Sequence, residues 1–241
     1  MPLHLIKSIE NTGTFAIWKL TESEDELLRL RPLSEKEKDY FTSLKNNKRR
    51  KEWLANRILL EHLIGKKFSL NYLSNGKPVL LNPKLFLSIS HSNNFVAVFV
   101  SNNREIGIDI EQIKETIGLL KDKFLLPEES QLIDVSNSRL LHIYWGAKEA
   151  MYKMYSSSRP LFTEHLSVFC IDYQKGTAIG KIKKENLDTT VNIIFQQIED
   201  NMLICCYPPE SPILLSERRY IQSVNVPQKS PTKAPPTMSK G

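Results

Sequence analysis

The sequence predicts an α+β fold built as two similar halves, and three observations predict it. The chain has 241 residues, 41% hydrophobic and 25% charged, an ordinary globular balance with apolar material for one moderate domain or two small ones. Helix-period apolar patterns occur twice, near residues 46–64 and 138–155. Each is accompanied by short period-two runs separated by turn residues, the pattern of a long helix beside a small, mainly antiparallel sheet. The halves are expected to span residues 1–105 and 106–207, with a tail over 208–241.

Taken in order, residues 12–20 (TGTFAIWKL) read as the first strand. Ser34 and Glu37 form an S-x-x-E capping box that opens a short helix. Trp53, Leu54, Ile58, Leu59, Leu60 and Leu63 fall at helical spacing, and Gly65 supplies the stop. Asn75-Gly76-Lys77-Pro78 reads as a hairpin turn. Strand-like runs follow at 85–89 and 95–100, the second too apolar for an exposed edge. At 105–111 (EIGIDIE), apolar and acidic residues alternate with period two. Pro127 suits the first position of a helix, with Glu128 and Glu129 in its first turn. Ser138 is expected to cap the second long helix. Strands are expected at 166–173, 177–182, 191–197 and 202–207, with Lys175-Gly176 as turn material. The tail holds seven of the thirteen prolines, a composition of linker or disorder, with one apolar patch at 213–215 able to dock back on the body.

Composition excludes several classes of function. No apolar run reaches the ~18 residues a membrane-spanning helix needs, and residues 1–11 carry no signal-peptide core. Cys170, Cys205 and Cys206 lack metal-ligand or disulfide-framework spacing, so they are expected mostly as small buried side chains in a reducing, cytoplasmic compartment. Walker, dinucleotide-binding, zincin and nucleophile-elbow patterns are absent. The net charge of +6 invites a nucleic-acid reading, but the tail supplies +3 of it and no reader motif accompanies the basic run.

The residues that bear chemistry form three groups. Asp109 and Glu111 lie on one face of a strand, with Ile108 and Ile110 on the other. Trp145, Glu149 and Lys153 stack at i, i+4 and i+8 on one helix face. Each pattern has an ordinary reading, a solvated strand face and a helix-surface ion pair, yet three carboxylates with a lysine also suit a magnesium–diphosphate site. The third group is upstream: Lys77 in NGKP and Ser88-Ile89-Ser90-His91-Ser92 present donors to phosphate, or serve simply as a turn and a strand-end cap. Lys45, Lys48, Arg49, Arg50 and Lys51 add a cationic patch at a helix start, which is a solvated surface or an anion site.

Together, NGKP at 75–78, SISHS at 88–92, GIDIE at 107–111 and WGAKEAMYK at 145–153 resemble the 4′-phosphopantetheinyl transferases of the Sfp type. The resemblance covers roughly residues 10–207. It implies a pseudo-dimer of two α+β halves with the active site in the cleft between them. It also implies Mg²⁺-dependent transfer of 4′-phosphopantetheine from coenzyme A to a serine of an acyl or peptidyl carrier protein, releasing 3′,5′-ADP. Carried over by position, Asp109, Glu111 and Glu149 would hold the metal, and Lys153 the coenzyme A phosphates. Lys77, Ser90 and His91 would bind the nucleotide end, with Lys48 or a neighbour in the 45–51 cluster. A histidine beside phosphate would be held cationic. Glu129 resembles the acid proposed as base for the carrier serine, Glu128 and a metal-bound water being the other candidates.

Gly146 departs from the hydroxyl or sulfur side chain relatives often carry after the tryptophan, and is read as tolerated. The alternative is a catalytically inactive relative that binds coenzyme A or a carrier. A pseudo-dimer completes its own cleft, so a monomer is expected, with neither nucleic acid nor membrane as partner.

Overall fold

The computed structural model describes residues 3–65, 68–80 and 85–209, so the expected tail lies outside the described residues from position 210. The first half runs β1 (Leu3–Ile9), β2 (Gly13–Lys19), α1 (Glu24–Leu30), α2 (Glu35–Ser43), α3 (Asn47–Ile64), the hairpin β3 (Leu70–Tyr72) and β4 (Pro78–Leu80), β5 (Phe86–Ser92) and β6 (Phe95–Ser101). The second runs β7 (Gly107–Gln112), a 3-10 segment Glu115–Lys123, α4 (Pro127–Leu132) and α5 (Ser138–Met154). A short 3-10 turn, Ser156–Ser158, precedes β8 (Leu166–Asp172), β9 (Thr177–Lys184), β10 (Leu187–Ile198) and β11 (Asn201–Tyr207).

Besides the two-stranded β3-β4 hairpin, two larger antiparallel sheets result, ordered β1-β2-β6-β5 and β7-β11-β10-β9-β8. Strand alternation then sets the layers. Phe15, Ile17, Phe95, Ala97 and Phe99 of the first sheet meet Ile106, Ile108, Ile110, Leu203 and Cys205 of the second in a core between the sheets. The opposite residues, Ala16, Trp18, Val96 and Val98, pack under α3 with Leu54, Leu59 and Leu60. Met202, Ile204, Val191 and Ile193 pack under α5. Each half is therefore a long helix on an antiparallel sheet, and β6, with apolar residues on both faces, is a central strand as expected.

Both long helices obey their local signals. Asn46 Oδ1 accepts from Arg49 N, and Gly65 ends α3 with φ 67° in the left-handed region. At α5 the cap is Asn137, whose Oδ1 accepts from Leu140 N at 3.1 Å, in place of the expected Ser138. Ser138 is already helical and its hydroxyl donates to Glu115. Strand β1, which the sequence reading leaves without an element, is a half-exposed edge whose polar residues blur the period-two signal. Gly107 lets α5 settle directly on β7, because a β-carbon there would collide with the Ala150 carbonyl. Among the described residues no helix is long and apolar enough to cross a membrane. Cys205 and Cys206 are buried and Cys170 is exposed, all with free thiols.

Candidate functional site

The SISHS run is neither a strand-end cap nor a free donor array; it is the seam between the two halves. β5 and β7 are the facing edges of their sheets, and no backbone ladder joins them. Instead Ile108 N donates to Ser88 Oγ at 3.0 Å, Ile110 N to Ser90 Oγ at 3.3 Å, and Gln112 N to Ser92 Oγ at 2.9 Å. Alternate serines thus satisfy alternate amides of a buried strand edge, which would otherwise be left unpaired. The intervening residues, Ile89 and His91, point the other way, toward the α3 side of the sheet.

This seam brings the acidic residues together. Asp109 is buried; its Oδ1 accepts from Lys153 Nζ at 2.6 Å and from Ser90 Oγ at 2.9 Å. Its Oδ2 is buried without a hydrogen-bond partner among the described residues. Glu111, one pleat on, accepts from Ser92 Oγ at 3.3 Å. Burial and the neighbouring Asp109 push the Glu111 carboxyl above its usual range. Glu149 is pushed up to about 7 by burial and by the charges of Asp109 and Glu111, against the opposing pull of Lys153. Lys153 spends its three ammonium protons on Asp109, Ser90 Oγ at 2.9 Å and the Ile108 carbonyl at 3.1 Å. The strand-face and helix-pair readings fail together, because these groups face one another across the β7–α5 contact.

An orphaned buried carboxylate oxygen beside two carboxyls with raised pKa values is a concentration of uncompensated negative charge. Oxygen-only donors of this kind suit a hard divalent cation. Among the described residues no three His, Cys, Asp or Glu side chains close on one point, so waters or ligand oxygens must complete any shell.

The nucleotide-end candidates gather beside this cluster. Lys77 Nζ donates to Glu105 Oε2 at 2.8 Å and to the Met154 carbonyl at 3.3 Å, so the NGKP hairpin docks on the last turn of α5, next to Lys153. On the α3 side, Arg49 Nη1 donates to His91 Nε2 at 2.7 Å and to Glu52 Oε2 at 3.1 Å. Lys48 is more distant from this group, exposed and 3.9 Å from Glu52. Arg49 is therefore the member of the basic cluster that meets the SISHS motif. In this arrangement burial foremost, with Arg49 and Lys153, holds the His91 pKa below its usual value.

Glu129, expected as the base, stands apart from the cluster. It is buried, with Oε2 accepting from Lys148 Nζ at 2.6 Å and Leu126 N at 2.9 Å, and Oε1 accepting from Val168 N at 2.8 Å. Lys148, wholly enclosed, also donates to the carbonyls of Phe124 at 2.6 Å and Phe162 at 3.1 Å. This pair ties α4 to α5 and β8, and none of its hydrogen-bond partners belongs to the acidic cluster. Trp145 likewise leaves the Glu149–Lys153 face to pack on Phe124 and Phe162, with ring centroids 5.4 and 5.7 Å away. A cavity of about 440 Å³ beside Arg139, Ile143, Tyr173 and Phe195 is lined by none of the motif residues and by no acid or histidine.

Residues 105–200 match the family model of the 4′-phosphopantetheinyl transferase superfamily, a span that contains Asp109, Glu111, Glu149 and Lys153. That stretch of the chain is similar to the superfamily. The chain's similarity to members with assigned names extends beyond the matched span. The 4′-phosphopantetheinyl transferase AcpT of Escherichia coli K12 is 26% identical over 186 residues, covering 73% of this chain and 85% of that protein. HetI of Nostoc sp. strain PCC 7120 is 31% identical over 121 residues, 43% of this chain and 51% of HetI. Psf-1 of Bacillus pumilus is 29% identical over 114 residues, 42% of this chain and 48% of psf-1. All three carry the name 4′-phosphopantetheinyl transferase.

The superfamily match begins at Glu105 and so leaves out Arg49, Glu52, Lys77 and the serine seam, which the fold brings to the same place. Of these, sequence reading passed over Glu52. Its signal was present, an acid three and four residues after Arg49 and Lys48, but such spacing is also that of an ordinary surface pair.

Proposed function

We propose that this chain is a 4′-phosphopantetheinyl transferase of the Sfp type, moving the phosphopantetheine arm of coenzyme A to a serine of an acyl or peptidyl carrier protein and releasing 3′,5′-ADP. One observation carries the reading: Asp109 pairs with Lys153 while its Oδ2 is buried and unpartnered among the described residues, and Glu111 and Glu149 lie close enough to feel its charge. Mg²⁺ bound there, held by Asp109, Glu111 and Glu149, would supply charge neutralisation for the diphosphate.

The chain's own residues do the rest. Arg49, His91 and Lys77, with Lys48 at the rim, bind the nucleotide phosphates from the α3 and hairpin sides. Lys153 places positive charge where the β-phosphate oxygens gain negative charge during attack. Glu149, on the helix face beside Asp109 and Lys153, is the carboxylate placed to take the serine proton. Ser90 acts one step back, holding Asp109 and Lys153 in register. Glu129 is left out of the proton transfer because its oxygens are already committed to Lys148 and two backbone amides.

Incubation with coenzyme A, Mg²⁺ and a panel of apo carrier proteins is expected to add the arm, read as a mass increase on one of them. Asp109→Asn and Glu149→Gln are each expected to lower transfer by ~100-fold or more while keeping the wild-type circular dichroism spectrum. Near-normal transfer by either variant would refute the site. Binding of coenzyme A with no transfer to any carrier would favour an inactive relative.

A further inference from the structure

We infer that Glu52 is a positioning residue that couples the binding of a phosphate group to protonation of His91, so that the anion meets imidazolium and guanidinium together. The inference rests on the coenzyme A reading above and adds to it a residue and a proton.

Glu52 is 4% exposed, although it sits in the cationic start of α3, where an ordinary helix-surface pair would be solvated. A carboxylate is buried at such a cost only when it is paired. Its partners are Arg49 on Oε2 at 3.1 Å, and on Oε1 His91 Nδ1 at 3.7 Å and Lys48 at 3.9 Å. Arg49 in turn donates to His91 Nε2 at 2.7 Å. A guanidinium only donates, so Nε2 presents its lone pair and the ring proton sits on Nδ1, facing Glu52. His91 is thus neutral and already oriented.

The charged groups around the ring come from two helices. Arg49 of α3 and Lys153 of α5 oppose an imidazolium, as does burial, and Glu52 of α3 favours one. A phosphate oxygen that accepts from Arg49 draws that donor off Nε2. Nε2 can then help hold the anion only by gaining a proton from solvent; one N–H bond forms and the new cation lies between Glu52 and the phosphate. Without the Glu52 charge, the same step leaves a buried imidazolium beside two other cations.

Calorimetric titration of coenzyme A into the full chain, with chelator present and in buffers of different ionisation enthalpy at pH 7.5, counts the protons taken up. Wild type is expected to take up a substantial fraction of one proton per ligand. Glu52→Gln is expected to lose most of that uptake and to bind ~10-fold more weakly. A purely structural role for Glu52 would weaken binding and leave the proton count unchanged, and that result would overturn the inference. The ring resonances of His91 in the wild-type protein give a second test that does not depend on how the variant folds. They should move to imidazolium positions on addition of ligand, and coenzyme A binding with His91 still neutral would overturn the inference alone. Absence of coenzyme A binding by wild type both with chelator and with Mg²⁺ restored would sink the proposed function along with it.

Discussion

A β-carbon at position 146 would lie 2.7 Å from Ile204 Cγ1 and 3.4 Å from Asp109 Oδ2. Reading Gly146 as merely tolerated therefore misses its role: the large Ile204 fills the space that a side chain on α5 would need. Two effects compete in Gly146→Ala. Helix propensity favours alanine by ~1 kcal/mol, whereas overpacking a close contact costs about 1–3 kcal/mol. The contact involves the core of β11 and a buried carboxylate, so the steric cost should win. We expect Gly146→Ala to lower the urea midpoint and transfer activity together; a stabilised variant with full activity would contradict this. Lys148 and Glu129 make the complementary point. Glu129 was expected to do chemistry, but burial and the hydrogen bonds it makes to Lys148 and two backbone amides make the pair a brace.

At the scale of elements, capping and turn signals were legible because they act over a few residues. Asn46, Gly65, Pro127 and the turn glycines Gly76 and Gly176 all stand where local chemistry puts them. The cap of α5 moved by one residue because Asn137 and Ser138 are both able acceptors, and the choice was made by Glu115, which takes the serine hydroxyl. The serine seam was not legible: a period-two run of hydroxyls looks the same whether it faces water, a ligand or another strand. Its structural role predicts an outcome. Ser88→Ala strands the buried Ile108 amide and should destabilise the protein by about 1–3 kcal/mol. Amide exchange at Ile108 should accelerate beyond the rise seen at Leu203, deep in the same sheet. Unchanged exchange would remove the seam as a structural element.

For the molecule as a whole, the core between the sheets joins Phe15, Phe95 and Phe99 of the first half to Ile106, Ile108 and Leu203 of the second. Each half therefore buries one sheet face only in the presence of the other. The halves should unfold as one unit. Trp18 and Trp53 report on the first half and Trp145 on the second. Urea transitions of a Trp145→Phe variant and of a Trp18→Phe/Trp53→Phe variant, each followed by fluorescence and by far-ultraviolet circular dichroism, should give coincident curves from the two probes within each protein. A half-specific early transition would show that the inter-sheet core does not couple them.

Sequence alone determined the α+β class, the two helix-plus-sheet halves and the four motifs, because periodicity, caps and turn residues are properties of short stretches of chain. It also singled out Asp109, Glu111, Glu149 and Lys153. What only the tertiary structure decided was which charges face each other: Lys153 on Asp109, Arg49 in place of Lys48 on His91, Glu129 withdrawn into the brace with Lys148. The physical reason is that partner choice depends on burial and on distance across the β5–β7 seam. Those quantities come into being only when two strand edges far apart in the chain are brought together.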